Sequence, residues 1–124
     1  MGKFAIKKVP SGIKFDLKAS NGEIIANSEV YTTRRACLNG IASIRKNAPI
    51  AGLEDQTKPD FEKVKCPKFE VYTDKAGDTR FRLKARNGEI ICSGEPYKSM
   101  KSCLNGIESI RKNAVDSEIV EVEA

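Results

Sequence analysis

Arg80, Arg82, Lys84 and Arg86 fall on alternate positions of one short stretch. In an extended chain alternate side chains share a face. This spacing therefore draws a cationic stripe that can lie against phosphates or another polyanion, or simply form the wet side of a strand. No catalytic constellation accompanies it. The chain has no histidine, which removes His-based triads and most zinc sites. Its four cysteines, Cys37, Cys66, Cys92 and Cys103, form no CxxC pair. Neither GxGxxG nor the GxxxxGKS/T phosphate loop occurs, and no carboxylate pair is spaced for acid–base work. A non-enzyme with no metal and no cofactor is expected.

A second candidate is the dipeptide Asn39-Gly40, repeated as Asn105-Gly106, inside two helical patterns. A helical glycine costs about 1 kcal/mol relative to alanine, so its recurrence asks for a reason. Close approach of the helix backbone to a neighbour is one; an exposed backbone site for a ligand is the other. Asn39 and Asn105 fall on the opposite side of each helix from the apolar stripe. They form either a solvated face or polar contacts to a partner.

These residues sit on a unit written twice. Aligning Phe15–Ala48 with Phe81–Ala114 gives 22 identities in 34 positions. Alternating apolar residues predict strands over Ile13–Ala19 and Thr79–Ala85, preceded by strands Lys3–Val9 and Lys68–Thr73. Third strands follow at Glu23–Ser28 and Glu89–Ser93. Thr32 or Thr33, and Ser99, can cap helices over Arg34–Asn47 and Met100–Asn113. Each helix carries a stripe, Cys37, Ile41, Ile44, Ala48 and Cys103, Ile107, Ile110, Ala114, to lay on the inner sheet face. Pro49 stops the first helix. Short final strands are expected over Leu53–Gln56 and Glu118–Val122. The units are residues 1–57 and 68–124, joined by a linker, 58–67, in one compact domain.

Asn21-Gly22 and Asn87-Gly88 signal two-residue hairpin turns with φ > 0 at both positions. That turn would set Lys18 opposite Ile25 and Leu17 opposite Ala26. Ile25 and Ile91 would then stand on the outer face beside Lys18 and Lys84. With Tyr72, Arg80, Arg82 and Arg86 they outline a partner-binding face, apolar in the middle and basic at the rim. Phe4, Phe15, Phe69 and Phe81 point inward, so only Tyr72 offers the outward aromatic that sheet-type RNA readers stack on bases.

Net charge is +5 and uneven: residues 3–48 hold 9 basic and 3 acidic side chains, residues 68–114 hold 10 and 6, and the tail 115–124 is −4. No apolar run approaches the ~18 residues of a membrane helix. The first residues lack the apolar stretch of a signal peptide, so a cytoplasmic place with reduced cysteines is expected.

The motif N-G-E-I-I, then E-x-Y, then C-L-N-G-I-x-S-I-R-K-N-A resembles the small bacterial YegP-like domains, often found in tandem. The resemblance implies an α+β fold: two β3-α-β units forming a single antiparallel sheet covered on one face by two helices, with the last strands exchanged between units. It implies no activity, because that family is of unknown function. The expectation is a binding or interaction module, monomeric with internal pseudo-twofold symmetry, whose partner is a protein or polyanion rather than a membrane. Weak, sequence-nonspecific nucleic-acid binding through the basic outer face is the alternative.

Overall fold

The computed structural model describes residues 2–122; residues 1, 123 and 124, at the outer ends of the two expected units, lie outside it. The first repeat contains β1 (Lys3–Val9), β2 (Gly12–Lys18), β3 (Ile24–Ser28), α1 (Arg34–Asn47) and β4 (Gly52–Asp55). The second contains β5 (Lys68–Thr73), β6 (Thr79–Lys84), β7 (Ile90–Ser93), α2 (Met100–Asp116) and β8 (Glu118–Glu121). The eight strands form one sheet in the order β4-β5-β6-β7-β3-β2-β1-β8.

Local chemistry sets most boundaries. Thr33 and Ser99 cap the helices, each accepting a hydrogen bond at 3.1 Å from the backbone N–H three residues on. α1 ends before Pro49. Val115 occupies the matching place in the second repeat and lies within α2, which runs on to Asp116 because nothing there removes an N–H. The predicted stripes are buried in both helices, and one continuous core spans both repeats.

The last strands are exchanged. β4 of the first repeat pairs with β5 of the second, and β8 of the second pairs with β1 of the first. Both pairings run parallel, so the sheet is mixed rather than antiparallel throughout. Each helix carries its chain back across the sheet, so the strand that follows it runs alongside the edge strand it meets. An arginine fastens each exchange. Arg45 lies over the Phe4 ring at 5.3 Å and donates to the Ser117 carbonyl at 2.6 Å. Arg111 lies over Phe69 at 5.3 Å and donates to the Ala51 carbonyl at 3.0 Å.

The helical glycines have a packing reason. A Cβ on Gly40 would run into the Tyr31 hydroxyl and come within 3.2 Å of the Phe15 ring; one on Gly106 would meet Tyr97. Tyr31 in turn stacks on Phe15 with ring centroids 6.3 Å apart. Each tyrosine of the E-x-Y motif thus wedges between sheet and helix, and only glycine lets the helix come that close.

The expected hairpin register is overturned. Gly22 N–H donates to Ala19 O at 2.9 Å and Ala19 N–H to Glu23 O at 2.9 Å, which makes a three-residue loop. Only Gly22 has positive φ, at 86°; Asn21 does not. Lys18 pairs with Ile24, and Leu17 with Ala26, leaving Ile25 as the extra residue of a β-bulge. The bulge turns Ile25 inward with Ala26, and Ile25 is 8% exposed. The second repeat does the same: Lys84 pairs with Ile90, and Ile91 is 4% exposed. Ile25 and Ile91 are core residues. Ile24 and Ile90, each 36% exposed, take the outward places beside the lysines.

Candidate functional site

The sheet face away from the helices carries no helix, and at its β4 edge the linker reaches onto it, Val64 N–H donating to Glu54 at 2.8 Å. On it β1 and β2 of the first repeat present Lys3, Lys7, Lys14 and Lys18 around Asp16. In the second repeat β5 and β6 present Lys68, Tyr72, Arg80, Arg82 and Lys84 around Glu70. Glu54 joins this second group from β4.

The two halves carry their charge differently. In the second repeat buried carboxylates gather the cations. Arg82 Nε lies 2.6 Å, Lys68 Nζ 3.1 Å and Lys84 Nζ 3.3 Å from Glu70. Lys68 Nζ also lies 2.8 Å from Glu54. Arg80 reaches the Gly94 carbonyl at 3.2 Å and Asp74 at 3.9 Å. Burial alone would raise the Glu54 pKa. Hydrogen bonds from Lys68, Gln56 and the Val64 N–H outweigh it and hold the group at about 2. Glu70 is lowered in the same way, burial being outweighed by Arg82, Lys68 and Lys84. In the first repeat Asp16, 2% exposed, takes Lys7 at 2.9 Å and Lys14 at 3.3 Å. Lys3 and Lys18 sit opposite one another in the β1–β2 register, and neither forms an ion pair among the described residues.

Sequence spacing therefore found the face but misplaced its free charge. Lys18, Tyr72, Arg80, Arg82 and Lys84 are on it. Arg86 is not: β6 ends at Lys84, and Arg86 turns in the following loop to line a hollow with Ala42 and Lys46 of α1, on the helix side. Ile25 and Ile91 are absent from the face for the register reason given above. Tyr72 is outward but covered, with the Arg82 guanidinium 4.7 Å from its ring centroid. Glu70 and Glu54 were the missed residues. The signal for Glu70 lay in the antiparallel register, which puts it opposite Arg82. Glu54 arrives through the strand exchange and had no local signal.

On the other side of the molecule Asn39 and Asn105 are exposed on the helices, as their position opposite the apolar stripe requires. Asn39 borders a cleft between α1 and the β6–β7 hairpin. Among the described residues no cluster of three or more His, Cys, Asp or Glu side chains could hold a metal, and no helix is long and apolar enough to cross a membrane.

Residues 12–55 and 74–121 each match DUF1508, a domain of unknown function. The chain belongs to this family. A UPF0339 protein YegP of Yersinia pestis is 38% identical over 120 residues, covering 96% of this chain and 94% of its own. The solution structure of yegP from E. coli, a protein of unknown function, superimposes with a TM-score of 0.77 at 33% identity, covering 97% of this chain and 91% of the other. A UPF0339 protein of Treponema denticola is 62% identical over 55 residues, which is 44% of this chain but 95% of that one. DUF1508 chains thus come in single-repeat and double-repeat lengths, and two repeats share one sheet here.

Proposed function

We propose that this DUF1508 chain is a non-catalytic binding module whose helix-free sheet face takes a polyanion by charge over the β1–β2 part, without reading sequence. The carrying observation is the pair Lys3 and Lys18, opposite one another and in no ion pair among the described residues, beside Lys7 and Lys14 sharing one Asp16, with Glu118 of β8 next to Lys3 as the other carboxylate there. This leaves a surplus of positive charge in a flat, accessible array. Base recognition by stacking has no support on this face, since its single aromatic is already covered by Arg82. Phosphate or sulfate contact needs only the lysines.

The test is binding of heparin, single-stranded RNA and duplex DNA over a salt series. All three should bind at low salt. For duplex DNA the slope of log K against log salt should be shallower by about 2 in Lys3→Glu with Lys18→Glu. Absence of binding at low salt, or an unchanged slope in the double variant, overturns the proposal. Capture of a protein partner with little salt dependence would point to an interaction module of a different kind.

A further inference from the structure

The cleft bordered by Asn39 has a volume of about 420 Å³ and is built from both repeats. α1 and the segment before it supply Glu29, Tyr31, Asn39, Gly40 and Ser43. The β6–β7 hairpin of the other repeat supplies the opposite wall, including Asn87, Glu89 and Ile91. Ten of its eleven lining residues are identical in the other repeat, Ala36/Ser102 being the exception.

That identity is selective. The repeats differ at 12 of 34 aligned positions, and the changes reach the core at Ala26/Cys92 and the outer face at Asp16/Arg82. Exposed positions have drifted as well, as at Arg35/Lys101 and Ala42/Glu108. Yet exposed Asn39, Glu29, Asn87 and Glu89 are matched by Asn105, Glu95, Asn21 and Glu23. Exposed residues that make no core are ordinarily the first to diverge, because their replacement barely changes stability. The hairpin accounts for Asn21 and Asn87, whose side-chain oxygens each accept the N–H two residues on at 3.0 Å, and Glu95 accepts from the Asn27 amide at 2.8 Å; the side chains of Asn39, Glu29 and Glu89 have no such duty among the described residues. Among the described residues the Asn39 amide and the Tyr31 hydroxyl make no hydrogen bond, and the Glu29 and Glu89 carboxylates form no ion pair.

We propose that this cleft, with its pseudo-twofold counterpart around Asn105 and Tyr97, is a binding site for a small ligand that presents a protonated amine. Glu29 and Glu89 face the amine as charge partners. The Asn39 amide oxygen and the Tyr31 hydroxyl are acceptors for its remaining N–H groups. Tyr31 stays a neutral hydroxyl, since burial chiefly, with Glu29 and Glu89 adding to it, pushes its pKa up to about 12. Tyr97 is raised by burial in the same way, with Glu95 and Glu23 among its neighbours, but there Glu95 already accepts from the Asn27 amide at 2.8 Å, where the first cleft has Ser93. Ile91 and the Tyr31 ring give an apolar floor for the ligand's carbon skeleton. Gly40 keeps the tyrosine hydroxyl in place at the cleft. Next to the first cleft, and sharing Ser43, Ala85 and Asn87 with it, is the hollow that holds Lys46 and Arg86. The counterpart has Lys112 but Ser20 in place of Arg86. A carboxylate on the same ligand would therefore be held better at the first cleft.

The test is titration of the ¹⁵N-labelled intact chain with putrescine and, separately, with free lysine; butanol serves as the uncharged control. Saturable amide shifts at Asn39, Gly40 and Asn87–Glu89, and at Asn105, Gly106 and Asn21–Glu23, are expected with both amines and not with butanol. Glu29→Gln with Glu89→Gln should weaken the first cleft about tenfold or more while leaving the second unchanged. Tighter binding of lysine than putrescine at the first cleft alone identifies a zwitterion; equal binding identifies a simple amine. No saturation up to about 10 mM, shifts confined to acidic residues elsewhere, or equal affinity in the variant would each overturn the proposal. Because the site lies on the helix side, loss of amine binding and loss of polyanion binding are separate results.

Discussion

Replacing Ile25 and Ile24 one at a time separates the bulged register from a regular hairpin. The two neighbours differ by one position, and a two-residue turn would reverse their places. Ile25 is 8% exposed within the core, whereas Ile24 is 36% exposed opposite Lys18. Truncating a buried isoleucine to alanine costs about 2–5 kcal/mol, from lost transfer energy plus the cavity left behind. For Ile25→Ala we take about 3 kcal/mol, which lowers Tm by roughly 10–15 °C in a chain of this size. Ile24→Ala removes a methyl-rich surface that water already reaches and should cost about 0.5–1 kcal/mol, or a few degrees. The same contrast should appear between Ile91→Ala and Ile90→Ala. Thermal melts followed by far-UV circular dichroism, with urea midpoints as a check, measure all four. If Ile24→Ala proves the more damaging of its pair, the bulge is wrong and the outer face must be redrawn with Ile25 on it.

Stability should fall as pH drops from about 4.5 towards 2. Glu54 is near 4.5 when unfolded and about 2 when folded, so its contribution is complete above the higher value and is lost on approaching the lower. Glu54→Gln should accordingly be less stable than the parent at pH 7 and nearly equal to it at pH 2; a difference that persists in acid argues against the carboxylate as the source. A protease site placed after Asp60, once cut, should leave the halves co-eluting as one folded species, because β4 and β8 each pair with the other repeat. Separation of the halves on a sizing column, or a cooperative monomeric melt of residues 1–57 alone, would contradict this. Cys92 and Cys103 thiols, raised chiefly by burial to about 12 and about 11, should resist a thiol reagent at pH 8 in the folded protein, with half-buried Cys66 reacting first. Rapid modification of all four cysteines without unfolding would show that the core is open.

Much of the architecture was legible because it is written in short-range terms. Strand periodicity, the helical stripes, the Thr33 and Ser99 caps and the Pro49 stop each depend on residues within a turn or two. The repeat itself announced two equivalent halves, and the resemblance of the N-G-E-I-I and N-G-I-x-S motifs to YegP-like domains carried the strand exchange. The outward stripe from Arg80 to Lys84 followed from period two alone.

Three things were decided only by the assembled fold. Asn-Gly permits either a two-residue or a three-residue loop. The choice went to the arrangement in which the bulge buries Ile25 and Ile91, since core burial outweighs the local preference of the dipeptide. The net charge of the outer face depended on Glu54 and Glu70, and Glu54 reaches Lys68 only because β4 pairs across the repeat boundary. The cleft exists in neither repeat by itself: Asn39 and Asn87 are 48 positions apart and meet only when α1 is laid beside the other repeat's hairpin. Local sequence determines which elements form, because their hydrogen bonds and side-chain periods close within a few residues. Which surfaces those elements bring together is decided by burial of the shared core, which no single stretch of the chain contains.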